Sequence, residues 1–184
     1  AEYVAEMVRQ MIFAQYGNEA YTRGLNVYTT LNAGAQETAY VALRKGIMDY
    51  ERRQQYRGPE RFVNLPADAN EAEDVIDDAL ANHPDNGNVL AAVVLEARKV
   101  VVARANGEPI TVTGDGLKPV QSGLSDKAPP NIKLRRGAIV RIIGTAKQGW
   151  EITQLPEVEG AFVAADPRTG AIKAMVGGFD FDKN

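Results

Sequence analysis

Between Val89 and Leu155 the chain breaks into short apolar runs, each closed off by turn residues and none long enough for a stable helix. The runs are Val89–Ala97, Lys99–Ala105, Pro109–Thr113, Gly137–Gly144 and Gly149–Leu155. They are rich in Val, Ile and Thr, which pack well on a pleated surface. Asn106-Gly107, Gly114 to Gly123 and the Pro129-Pro130 loop supply the breaks. Five strands with a long connection after the third fit a Greek-key barrel of the OB type. An SH3-like barrel or a sandwich fragment shares the pattern.

Before this region the periodicity is helical. Val4, Met7, Val8, Met11 and Ile12 mark one face of a helix over residues 2–16, stopped by Gly17 and Asn18. Leu25 to Leu31 alternates and is β-branched, which predicts a strand. Asn32 then caps a helix over Ala33 to Gln54, with Ala39, Ala42, Leu43, Gly46, Ile47 and Tyr50 as its apolar stripe. Residues 56–67 carry turn and linker chemistry. Asn70 and Glu73 form a capping box for an acidic helix, Glu71 to Ala81, that buries Ala72, Val75, Ile76, Ala79 and Leu80. At the far end, Gly160–Asp166 and Ala171–Gly177 read as a hairpin around Pro167-Arg168-Thr169-Gly170, with Asp166 capping the turn. Phe162, Val163, Ile172, Met175 and Val176 are apolar enough to predict burial on most sides. Without an initiator Met, and with a helix already under way at Ala1, the chain reads as a piece of a longer protein.

Composition closes several functional classes. There is no cysteine, and His83 is the only histidine, so thiolate chemistry and a His-rich metal site are excluded and no cofactor is expected. His83 follows the acidic helix, where a cation suits the helix C-terminus. No run of 18 apolar residues is present. Asp77 and Asp78 are adjacent and face different ways, so they do not form a glycosidase pair. Asp166, Asp180 and Asp182 cluster near the hairpin and carry no catalytic expectation.

Three surface features remain as a possible interaction surface. The acidic helix presents Asp74, Asp77 and Asp78 without a basic neighbour, and Lys133, Arg135 and Arg136 precede the fourth strand. Trp150 reads as a core or edge residue, with a sugar-stacking platform as its sharper alternative. An OB barrel raises oligonucleotide or glycan binding. However, Trp150 is the only aromatic between Asp85 and Val158, and the ten basic residues there exceed the acids by only three, so nucleic acid is not expected.

Several stretches resemble a known family. Gly24-Leu25-Asn26-Val27-Tyr28-Thr29-Thr30-Leu31 with the helix after it, Tyr56-Arg57-Gly58-Pro59, and above all Glu159 to Asp180 (EGAFVAADPRTGAIKAMVGGFD) resemble class A penicillin-binding proteins, the bifunctional peptidoglycan synthases. The resemblance implies an α+β fold in which a five-stranded OB-like β-barrel is inserted in an α/β linker and a transpeptidase-domain fragment. Its expected divisions are a linker at 1–60, the inserted domain at 61–158 and the first transpeptidase hairpin at 159–184. The family's transpeptidase chemistry uses Ser-x-x-Lys, Ser-x-Asn and Lys-Thr-Gly. This chain has two serines, Ser122 and Ser125, neither followed by Lys three residues on, and none of the three motifs. No family catalytic residue is carried over, and the nucleophile is expected beyond Asn184. The resemblance therefore implies a non-catalytic regulatory, interaction or spacer region of a synthase. The parent would be a periplasmic glycosyltransferase and D,D-transpeptidase anchored in a Gram-negative inner membrane. An outer-membrane lipoprotein activator, another cell-wall synthesis protein or peptidoglycan itself would be its partner.

Overall fold

In the computed structural model, residues 2–97, 99–105, 107 and 109–179 are described. The turn residue Asn106, the charged residues Arg98 and Glu108, and Asp180 and Asp182 lie outside them. The chain divides into two compact units, one of residues 1–50 with 156–184 and one of residues 51–155.

The first unit is built from α1 (Glu2–Tyr16), a 3₁₀ turn (Gly17–Tyr21), α2 (Ala33–Glu51) and the terminal hairpin. Asn32 caps α2 as expected, its Oδ1 accepting the Ala35 N–H at 2.9 Å. The hairpin pairs β7 (Ala161–Ala165) with β8 (Ile172–Gly177), Phe162 opposite Val176 and Val163 opposite Met175. Asp166 accepts from the N–H groups of Arg168 and Thr169, and Gly170 takes the positive φ of 71° that closes the turn. Ala39 on α2 packs with Ala174 and Val176 on β8.

Two expectations fail in this unit. Residues 25–31 form no strand. They reach β8 only at their end, where Thr30 Oγ1 donates to Ile172 O and Asn32 N–H to Lys173 O. The next position along β8 is taken by a side chain, because Gln36 on α2 holds both backbone groups of Met175. Phe162 and Val163 are about half exposed rather than buried. A two-stranded hairpin has two faces, and α2 covers the one bearing Ala174 and Val176.

The second unit holds a six-stranded antiparallel sheet: β1 (Arg61–Phe62), β2 (Val89–Glu96), β3 (Val101–Ala103), β4 (Ile110–Thr111), β5 (Ala138–Gly144) and β6 (Trp150–Thr153). Its order is β1-β5-β2-β3-β4, with β6 also paired to β5. Arg141 and Ile142 pair with β2 and with β6. Those two strands therefore flank β5 on opposite edges, and β1 follows β6 along the second edge. The expected count of five is corrected to six: the extra strand is two residues long and lies in a stretch that reads as linker. Among the described residues no pairing joins β4 to β1 or β6, so the ladder is open rather than a closed barrel.

Both faces of the sheet are buried, which explains why β2 reads as a continuous apolar run rather than an alternating one. Ala92, Val94, Val140, Ile142 and Ile152 face a core completed by Tyr56, Val112, Val120 and Leu134. Ala91, Val93 and Ile139 face the other way and are covered by Ile76 and Leu80 of α3 (Ala69–Ala81). A 3₁₀ segment (Gly114–Val120) runs into the single turn of α4 (Gln121–Leu124) between β4 and β5. Gly137 opens β5 at φ +84°, where a Cβ would stand 2.0 Å from Val63 O.

Candidate interaction surface

The acidic helix exists, but its cap differs from the expected one. Asp68, extended at φ −68° and ψ 135°, accepts from the N–H groups of Asn70 and Glu71, and Asn70 lies inside the helix. The Asn70–Glu73 capping box is therefore corrected to a single Asp cap two residues earlier. Ala72, Ile76 and Leu80 are buried, Val75 and Ala79 partly so, while Asp74 and Asp78 are exposed and Asp77 is half-buried. At the other end, His83 N–H bonds to Leu80 O and its Nδ1 lies 2.8 Å from Ala79 O, so the histidine serves as the C-terminal stop.

The basic trio separates. Arg136 donates to Pro66 O at 2.7 Å and lies within reach of Leu95 O, which brings it to the foot of α3. There it lines a cavity of about 370 Å³ together with Asp68, Glu73, Ile76, Leu95 and Arg104. Arg135 instead lies over the Phe62 ring, 4.2 Å from its centroid, and Lys133 Nζ donates to Asp126 O. Asp74, Asp77 and Asp78 do not line that cavity; Asp74 and Asp78 form an exposed ridge on the outer side of the helix. Trp150 is half-buried against the core, and the Cβ that Gly116 lacks would meet its carbonyl oxygen at 2.1 Å. That places Trp150 as a packed edge residue.

Several charged side chains are buried in this unit, among them Glu51, Arg141 and Glu151. Glu51, whose side chain is 1% exposed, accepts from Arg57 at 2.6 Å and from Gln154 at 2.7 Å. Gln154 in turn accepts the Arg57 N–H, and Arg57 donates to Leu155 O. Beside them Arg52 pairs with Glu151. Burial raises the Glu151 carboxyl above its ordinary value, against the pull of Arg52. Together these bonds tie the segment entering the unit to the segment leaving it. Arg141, also buried, grips Glu60 with two nitrogens and donates to Pro84 O. Apart from Glu51 and Arg57, which are six residues apart, the partners lie 57 to 103 residues apart, a separation that no local pattern reports.

The first unit has its own concavity, about 510 Å³, lined by Ala42, Leu43, Gly46, Ile47, Tyr50 and Phe162 among others. Five of the six residues of the predicted α2 stripe line this groove, and Ala39 alone packs wholly into the core. Among the described residues no group of three His, Asp or Glu side chains is placed to hold a metal, and no helix is long and apolar enough to cross a membrane.

With this geometry in place, comparison with known proteins gives a consistent result. Residues 56–158 match the family model described as the penicillin-binding protein OB-like domain. The chain is 36% identical over 98% of its length to penicillin-binding protein 1A of Neisseria lactamica, and 32% identical over 100% to that of Escherichia coli K12. It spans 23% and 22% of those proteins. The crystal structure of penicillin-binding protein 1A from Haemophilus influenzae superposes on the whole chain with a TM-score of 0.80 at 29% identity, the chain covering 27% of that structure.

Proposed function

The chain belongs to the class A penicillin-binding proteins, and on that premise we propose that it is a non-catalytic docking region of a peptidoglycan synthase. Its OB-like unit would receive another protein of the cell-wall machinery. The reading takes the parent to be a periplasmic enzyme held in the inner membrane of a Gram-negative bacterium. There it would polymerise glycan and cross-link peptides through domains outside this chain, and its serine would be the target of β-lactams. An outer-membrane lipoprotein that stimulates the synthase is the partner class this reading favours.

One observation carries the docking role. The outer ridge of α3 presents Asp74 and Asp78 to solvent, while Arg136 and Glu73 rim an apolar-floored cavity at the helix's foot. A charged ridge beside an apolar hollow is the kind of surface that both steers and seats a partner protein. Trp150 gives less support to a glycan-binding or oligonucleotide-binding OB module, since it is packed against the core. A spacer role is favoured by a different feature, the buried bonds of Glu51, Arg57 and Gln154 that join the ends of the insert.

A photo-crosslinking residue placed at Asp74 or Arg136 of the full-length protein in intact cells tests the proposal. Docking predicts one discrete adduct from these positions and none from Lys118, on the 3₁₀ segment. Equal yields from all three positions, or no adduct at all, would leave the spacer reading in its place.

A further inference from the structure

Phe179 is held at three points by two side chains. Its N–H donates to Glu159 Oε2 at 2.6 Å, and its carbonyl oxygen accepts from Arg44 at 2.7 Å. The Arg44 guanidinium lies 4.0 Å from the centroid of the Phe179 ring and 5.7 Å from that of Tyr40. Phe179 is 5% exposed and Arg44 only 7%. Arg44 comes from α2, and Glu159 from the segment that enters β7. Just before Phe179, Gly178 turns at φ +69° and bonds back to Gly160 O. The exit of β8 is therefore fixed in position and in orientation, because both peptide groups flanking Phe179 are engaged.

Stability alone does not call for this arrangement. Burying a guanidinium carries a desolvation penalty, and apolar side chains of similar volume usually hold a fold as well or better. A planar cation that stacks on the ring and bonds the carbonyl supplies defined geometry, and so does a carboxylate on the amide. We infer that Arg44 and Glu159 are positioning residues for the transpeptidase centre of the full-length synthase, setting the direction in which the chain leaves β8. The inference rests on the reading that β7–β8 opens a transpeptidase domain whose serine belongs to the full-length protein outside these 184 residues.

The test is acylation of the full-length protein by a fluorescent penicillin, with initial binding separated from the acylation rate constant. In a site held by distant contacts, misplacement by about 1 Å slows chemistry by roughly a hundredfold. Arg44→Gln is expected to lower the acylation rate constant at least tenfold, with penicillin binding and glycan polymerisation near the wild-type level, and Arg44→Lys to recover part of the loss. Glu159→Gln, which keeps an acceptor for the Phe179 N–H, should acylate like wild type, and Glu159→Ala should not. A purely structural role would reduce the fraction of protein labelled while the labelled fraction reacted at the normal rate, and that result would overturn the inference. Should Arg44→Gln fail to fold, the Glu159 pair decides: equal rates for Gln and Ala overturn it. A wild-type protein that penicillin does not label would instead overturn the underlying reading of the parent.

Discussion

Gln36 pairs with Met175 as a neighbouring strand residue would: its Oε1 accepts the Met175 N–H at 2.9 Å and its Nε2 donates to Met175 O at 2.8 Å. One side chain on α2 thus does the work of a strand at the edge of β8. Gln36→Ala removes both bonds at a half-buried site and should cost about 1–3 kcal/mol. Gln36→Glu keeps the acceptor and loses the donor, so it should fall in between. Urea unfolding reports the energy, and amide exchange at Met175 reports the location. An unchanged Met175 exchange rate in Gln36→Ala would show that the pairing contributes nothing.

The side-chain strand explains why residues 25–31 mislead. Their alternation is real, but the ladder that would make them a strand is occupied from Gln36 onward, and only Thr30 and Asn32 reach β8. Elements whose cause lies within ten or twenty residues were legible: both N-terminal helices, the Asn32 cap, the strands of the insert and the Asp166 turn. The cap of α3 was misplaced by two residues because Asp68 and Asn70 are equally good cap residues, and only the backbone geometry chooses between them. β1 escaped because two residues carry no periodicity. Of the candidate surface, the acidic ridge was legible from composition. The approach of Arg136 to its foot was not, since it depends on a bond to Pro66 across 70 residues.

Long-range charge pairs set the second prediction. Glu51 is buried at the point where the insert begins, and it accepts from Arg57 and Gln154. Glu51→Ala leaves those donors facing a cavity and should destabilise residues 51–155 by about 3 kcal/mol, near the low end for a broken buried pair because Arg57 is one-third exposed. Gln154→Ala should cost about 1 kcal/mol. Denaturant unfolding of the 184-residue chain measures both, and the order of the two losses is the critical outcome.

Gly137 leaves no room for substitution. Its φ of +84° is strained for any side chain, and a Cβ would overlap Val63 O. Gly137→Ala should therefore destabilise by more than about 2 kcal/mol and disrupt the bond from Val63 N–H to Gly137 O that anchors β1. Thermal unfolding together with amide exchange at Val63 checks this, and a melting temperature equal to wild type would contradict the geometry.

The buried carboxyl of Glu151 makes stability depend on pH. Burial raises its folded-state pKa above the ordinary 4.5, with Arg52 opposing. In the folded state the group therefore holds its proton to higher pH than in the unfolded chain. Its contribution to stability is fully present below about 4.5 and is lost as pH rises through the folded value. Glu151→Gln should flatten that part of the stability–pH curve above 4.5. An unaltered slope in the variant would assign the dependence to another group.

The central claim is that the ridge and cavity around α3 are a docking surface, and the most direct measurement is capture by the 184-residue chain from solubilised Gram-negative envelope, wild type against Asp74→Lys/Asp78→Lys. Both positions are exposed, so the variant should fold normally. The account predicts saturable capture of one envelope protein by the wild type, lost by at least tenfold in the variant, with sedimentation on purified peptidoglycan unaffected. Equal capture by both chains, or no protein captured by either, would contradict it.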